Sequence, residues 1–138
     1  MIKLETLGML DSAKVNPILK YTEDVKNYSF LTIDEELYLI ANTVTGDDAY
    51  KEDVVIKKGD YLNGFLVKAW DGQKLVIDSK HIQDKLESLE VNDKLEAQDD
   101  GTLKKSAGGA KGVYFVVTDK GVTLTGAAIK AKVVVSAS

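Results

Sequence analysis

The sequence predicts a mainly β protein, an antiparallel β-sandwich or partly open β-barrel with one short helix and an N-terminal arm. Three observations predict it. Short runs rich in β-branched and aromatic residues recur at 28–33, 37–41, 61–70, 75–77, 113–117 and 129–135. Turn residues separate these runs every 8–12 positions or so, the spacing of a sandwich or small barrel. A helical apolar period occurs only once, at Ile82, Leu86 and Leu89.

Taken in order, residues 1–20 read as an arm or lid, and 21–138 as a single β-rich domain. Leu4, Leu7, Met9 and Leu10 are apolar, but Gly8 interrupts them. Asp11-Ser12 can cap a short helix that Pro17 limits, and 16–25 can form another short turn or helix. From residue 28, an alternating run is broken at Asp34-Glu35-Glu36 and resumes at Leu37, which reads as a hairpin. Thr45-Gly46-Asp47-Asp48 is a loop.

Val54-Val55-Ile56 is a short strand and Lys57-Lys58-Gly59-Asp60 a turn. The run 61–70 follows, with a bulge at Gly64. Asp71-Gly72 is a strong hairpin signal, with Leu75-Val76-Ile77 as the return strand. Ser79 is the N-cap of the helix that lays Ile82, Leu86 and Leu89 on a sheet. Asp99-Asp100-Gly101 marks another hairpin, and the small residues at 106–110 an exposed loop. The run 113–117 is a strand, Asp119-Lys120-Gly121 a turn, and Ile129 onward the closing strand. Segments 56–62 and 89–95 echo one another, with Gly59 and Asn92 at the same place in turns of one type. Gly and Asn share tolerance for positive φ.

Composition narrows function. The chain has 138 residues, enough to bury a core without staples. It has no cysteine, so disulfides and cysteine-ligated zinc or iron–sulfur sites are excluded. No basic start with an apolar core follows Met1, and no segment approaches the roughly 18 apolar residues of a spanning helix, so a soluble protein is expected. Net charge is −4, and all 18 basic residues are lysine. Arginine supplies bidentate recognition of phosphate and of guanine edges. Its absence from an acidic chain argues against a nucleic-acid partner.

No constellation for catalysis stands out. His81 is the single histidine, so neither a histidine triad nor a multi-histidine metal site can be built, and a helix-start or surface position is expected for it. The acidic pairs Asp47-Asp48, Glu52-Asp53 and Asp99-Asp100 fall in loops and match no calcium loop. The glycines at 108, 109 and 112 lack the Gly-Lys-Ser/Thr ending of a phosphate loop and precede a strand. Trp70, Phe65 and Tyr61 can serve the core or a sugar-stacking platform. No serine sits in a nucleophile elbow. The expectation is a binding protein with no catalytic, cofactor or metal residues and no small-molecule substrate.

Several segments resemble the small decoration, or cement, proteins of tailed-bacteriophage heads. They are Asn16-Pro17-Ile18-Leu19, Leu37-Tyr38-Leu39-Ile40-Ala41-Asn42, Gly46-Asp47-Asp48-Ala49-Tyr50, Gly72-Gln73-Lys74-Leu75-Val76, Lys80-His81-Ile82 and the closing strands from Gly112 to Val135. The resemblance is one of texture and order over most of the chain. It implies a protein that binds and braces the assembled major capsid protein shell, possibly beside other copies of itself. Its place would be the phage head surface in the virion, after host cytoplasm during assembly. In that setting Ile2, Leu4, Leu7, Met9 and Leu10 form a partner-binding arm, or else cover the open end of the chain's own core. The rival readings are a non-catalytic β-sandwich or barrel module that binds carbohydrate or another extracellular ligand, and an enzyme fragment or regulatory subunit.

Overall fold

The computed structural model describes residues 2–4, 16–18, 23–41, 55–59, 62–108, 112–120 and 128–136. The protein is mainly β, its sheets antiparallel, with no closed barrel among the described residues. The strands are β1 (Ile2–Leu4), β2 (Asn16–Ile18), β3 (Val25–Lys26), β4 (Ser29–Ile33), β5 (Glu36–Ile40), β6 (Val55–Ile56), β7 (Leu62–Leu66), β8 (Lys74–Asp78), β9 (Lys94–Ala97), β10 (Leu103–Lys105), β11 (Val113–Lys120) and β12 (Ala128–Val135). A six-stranded sheet has the order β1-β8-β12-β11-β9-β10, a four-stranded sheet β2-β7-β5-β4, and β3 pairs with β6.

Alternation explains the core. In β8, β11 and β12, successive side chains point to opposite faces. One face sends Leu75, Ile77, Phe115, Val117, Ile129, Ala131 and Val133 inward, all fully buried. They form one cluster with Phe30, Leu39 and Phe65 of the four-stranded sheet. Phe30 and Phe115 meet across the two sheets, with ring centroids 5.0 Å apart and planes tilted by 58°. A tilted aromatic pair contributes about 0.5–1.5 kcal/mol beyond the area it buries. A smaller cluster of Val25, Ile40, Ile56 and Leu62 lies under β3 and β6.

The hairpin expected near residue 34 is β4–β5, with Ile33 opposite Glu36 and a two-residue turn at Asp34-Glu35. Both turn residues have positive φ, 51° and 68°. That is the conformation of the turn whose twist matches the strands. Asp99-Asp100-Gly101 likewise joins β9 to β10. The echo between 56–62 and 89–95 is a true likeness of turns. Gly59 and Asn92 have φ of 91° and 79°, and each turn runs from a buried residue (Ile56, Leu89) to a buried strand residue (Leu62, Leu95).

Other local expectations are corrected. Residues 2–4 are an edge strand on β8. Residues 16–18, expected as part of a turn or helix, are an edge strand on β7, where Pro17 is tolerated. Gly64 pairs in register with Ile40 and Asn16, with no bulge. The run 61–70 ends as the 3-10 turn Val67–Trp70. Asp71-Gly72 does turn, but the strands flanking it do not pair: β7 belongs to the four-stranded sheet and β8 to the other. The turn is a corner between sheets, pinned by Gly72 N–H to Val133 O (2.8 Å) and Val135 N–H to the Asp71 carboxylate (3.2 Å). Asp119 and Lys120 extend β11, past a bulge after Val117.

The helix expected from Ser79 does not form. Ser79–His81 and Leu86–Ser88 are separate 3-10 turns, and the N-cap position of the first is Asp78, not Ser79. Between them, Ile82 bridges Leu103 in parallel. Gln83 N–H reaches Leu103 O at 2.8 Å, and Asp84 accepts from Lys105 N–H at 2.7 Å. These bonds tie the segment to the outer edge of β10. Ile82 and Leu89 are still buried in the core, and half-buried Leu86 packs against it.

Gly101 fastens the two sheets. Its carbonyl accepts from Phe30 N–H at 2.9 Å. Its φ is +88°, and an added Cβ would sit 2.8 Å from Ser29 Cβ. Gly101→Ala is expected to destabilise by about 2–4 kcal/mol through backbone strain and overpacking, read by thermal or urea unfolding. Ser29→Gly in the same chain should restore the steric part. In the β4–β5 turn, Glu35→Gly should raise stability by about 0.5 kcal/mol, because Gly meets no Cβ penalty at positive φ. A lowered melting temperature would contradict that assignment.

Candidate functional site

One polar groove draws together three parts of the chain. The stretch from Glu23 to Leu31 forms one wall, Lys80 and His81 of the 3-10 turn a second, and the β9–β10 turn from Asp99 to Thr102 the third. Its volume is ≈ 490 Å³. The rim carries four carboxylates, Glu23, Asp24, Asp99 and Asp100, against the two ammoniums of Lys26 and Lys80. The floor is polar and buried: Asn27, Ser29 and His81 are 5%, 7% and 9% exposed.

Local physics places each group. β3 and β4 are separated by Asn27-Tyr28, and Tyr28 takes the left-handed conformation, φ 61°. A bulky aromatic rarely adopts it, so the surroundings hold it there. Tyr28 N–H donates to Ile40 O at 2.8 Å, and the Ser29 hydroxyl donates to Lys26 O at 2.7 Å. The ring of Tyr28 lies 6.1 Å from that of His81, tilted by 55°. His81 is therefore a buried groove residue, not the surface residue expected.

The acidic turn is organised by its own chain. Asp100 accepts from Thr102 Oγ1 at 2.5 Å, Thr102 N–H at 3.0 Å and Gln83 Nε2 at 3.1 Å. The Thr102 hydroxyl, then its amide, holds the Asp100 carboxyl below the ordinary value of 3.8, outweighing the opposing effect of burial. At the far end of the β9–β10 hairpin, Asp93 accepts from Glu90 N–H at 2.8 Å and pairs with Lys105 at 3.4 Å. The Glu90 amide is the main cause of its lowered pKa, and Lys105 adds to it. Among the described residues, no group of three His, Cys, Asp or Glu is placed to hold a metal ion.

The other residues singled out by sequence lie elsewhere. Ile2 is 1% exposed and sits opposite Ile77, inside its own chain's core. Leu4 is opposite Leu75, and Leu7, Met9 and Leu10 lie outside the described residues. Trp70 is 8% exposed and packs on Phe65 with centroids 5.8 Å apart, so it serves the core and not a sugar platform. Tyr114 is half-buried under Lys94, and Tyr61 lies outside the described residues. So do Asp47-Asp48 and Glu52-Asp53, leaving Asp99-Asp100 as the described acidic pair. Sequence reasoning missed Asn27 and Ser29. Nothing local marks them, because the wall they form depends on Gly101 arriving from 70 or so residues further on.

Both aspartates have folded pKa values below their unfolded ones. Each therefore adds stability that is fully present above pH ~4 and is lost as pH falls through the folded value. Asp93→Asn with Asp100→Asn should lower the melting temperature most at neutral pH. The gap to the unsubstituted protein should narrow steadily below pH ~4. A gap that does not change with pH would contradict the charge origin of the effect.

The chain matches no family model, no curated protein and no solved structure.

Proposed function

We propose that the chain is a structural protein of a tailed-phage head, a decoration protein that binds and stabilises the assembled major capsid protein shell. In this reading the two larger sheets pack face to face as a sandwich, and the protein acts through its surfaces without turnover, cofactor or small-molecule substrate.

The resemblance of its segments to cement proteins supports this. The observation that carries it furthest is how the protein treats its sheet edges. Unpaired edges invite association between chains. Here Ile82, Gln83 and Asp84 close the outer edge of β10, and Gly101 occupies Phe30 N–H on the outer edge of β4. At these two edges the body can lie beside copies of itself without pairing through β10 or through the Phe30 amide of β4. The carbohydrate-module reading asks for a row of exposed rings, and the burial of Trp70 takes away its largest.

The purified protein is expected to cosediment with expanded heads and not with unassembled capsid protein. Its absence from purified virions by mass spectrometry, or equal binding to unassembled capsid protein, would sink the reading.

A further inference from the structure

The outer face of the six-stranded sheet has an unusual charge. The pleat that sends Leu75, Phe115 and Val133 into the core turns the alternate residues the other way. Five of those are lysines: Lys74, Lys94, Lys104, Lys130 and Lys132. Lys94, Lys104 and Lys132 are exposed, and the other two are half-buried.

Register lines three of them up. Lys94 is opposite Val116, Val116 opposite Lys132, and Lys132 opposite Lys74. The row crosses four strands, about 14 Å at a spacing of about 4.8 Å. Like charges directly opposite one another destabilise a sheet, and Lys132 and Lys74 are such a pair. Carboxylates on this face are Asp78, Glu96 and Asp119, of which Asp119 lies 3.8 Å from Lys74. Among the described side chains the face thus gathers five lysines against three carboxylates, on a chain whose net charge is −4. It is a positive surface on a negative molecule.

We propose that this face docks an acidic protein surface, whose carboxylates sit over the row Lys94, Lys132 and Lys74. A carboxylate-bearing partner would relieve the repulsion that the register builds in. The lysines alternate with half-buried Val116 and its neighbours, a mixture of charge and apolar contact that suits a protein surface. A polyphosphate is a poorer match. The chain offers no arginine for bidentate phosphate contacts. The proposal goes beyond the capsid reading, since it holds for any acidic protein partner.

The test compares two triple variants of equal charge. Lys74→Gln, Lys94→Gln and Lys132→Gln empty the row, while Lys57→Gln, Lys58→Gln and Lys85→Gln remove three exposed lysines elsewhere. The probe is fluorescent poly-L-glutamate, with a short DNA duplex in parallel. The unsubstituted protein should bind polyglutamate at low salt, more weakly as salt rises. The row variant should bind about tenfold more weakly, the scale on which focused charge alters association, and the matched variant about as the unsubstituted protein does. Lys132→Gln by itself, which leaves the Lys74–Asp119 pair and the Lys94–Tyr114 contact in place, should melt higher than the unsubstituted protein at low salt, since repulsion is relieved. Lys132→Gln alone serves as the reading if the triple variant does not fold. Equal losses in the two variants, no binding of polyglutamate, or tighter binding of the duplex would overturn the proposal.

Discussion

The joint between Gly101 and the start of β4 holds the structure together. At that point the β9–β10 turn of the larger sheet touches the edge strand of the smaller one. The Phe30 amide bonds to the Gly101 carbonyl, and the Phe30 side chain turns inward to meet Phe115. One residue thus belongs to both sheets, through its backbone at the edge and its ring in the core. The approach is close enough that the β-carbon of any other residue would strike Ser29. The groove is a by-product of this joint. Its walls are the segments that Gly101 and Phe30 bring together, and the left-handed turn at Tyr28 lets the chain enter β4 at the required angle.

Legibility in the sequence follows the range of the physics involved. The strands at 29–33, 36–40, 113–120 and 128–135 are dense in β-branched and aromatic residues, and local pattern is enough to find them. The Asp34-Glu35 and Asp99-Asp100-Gly101 turns were legible because turn chemistry is local too. Asp71-Gly72 shows where that ends. The dipeptide marks a reversal correctly, but whether the flanking strands pair is decided by β12, about 60 residues away. The segment at 79–89 fails for a related reason. Its i, i+4, i+7 apolar spacing fits a helix, yet two 3-10 turns joined through a contact with β10 bring the same residues to the core and cover an exposed edge. Of the groove, Asp99-Asp100 and His81 were visible as residue types. Their meeting with Asn27, Tyr28 and Ser29 was not, because it rests on a contact between distant segments.

Charge is distributed as unevenly as the sheets are packed. The groove rim is rich in carboxylates that the chain has partly engaged itself, as Asp100 is by Thr102 and Gln83. The outer sheet face is rich in ammoniums, and two of them stand directly across from one another. A net charge of −4 hides this division. Positive and negative surfaces on one small body give orientation to any encounter, which an even distribution of the same charges would not.

The place of β12 also sets the order in which the molecule can be built. It lies between β8 and β11, so β8 has only the short β1 beside it until the last described strand is present. β1 and β8 are themselves some 70 residues apart in the chain. The larger sheet therefore closes around its C-terminal strand: β9–β10 and β11–β12 pair sequence neighbours, but the β1–β8 and β8–β12 pairings that complete it join distant segments. Topologies dominated by such distant pairings fold in milliseconds to seconds, not microseconds. Until β12 docks, Leu75, Ile77 and Phe115 lack their central partner, and the half-made sheet is the state most open to association with other chains.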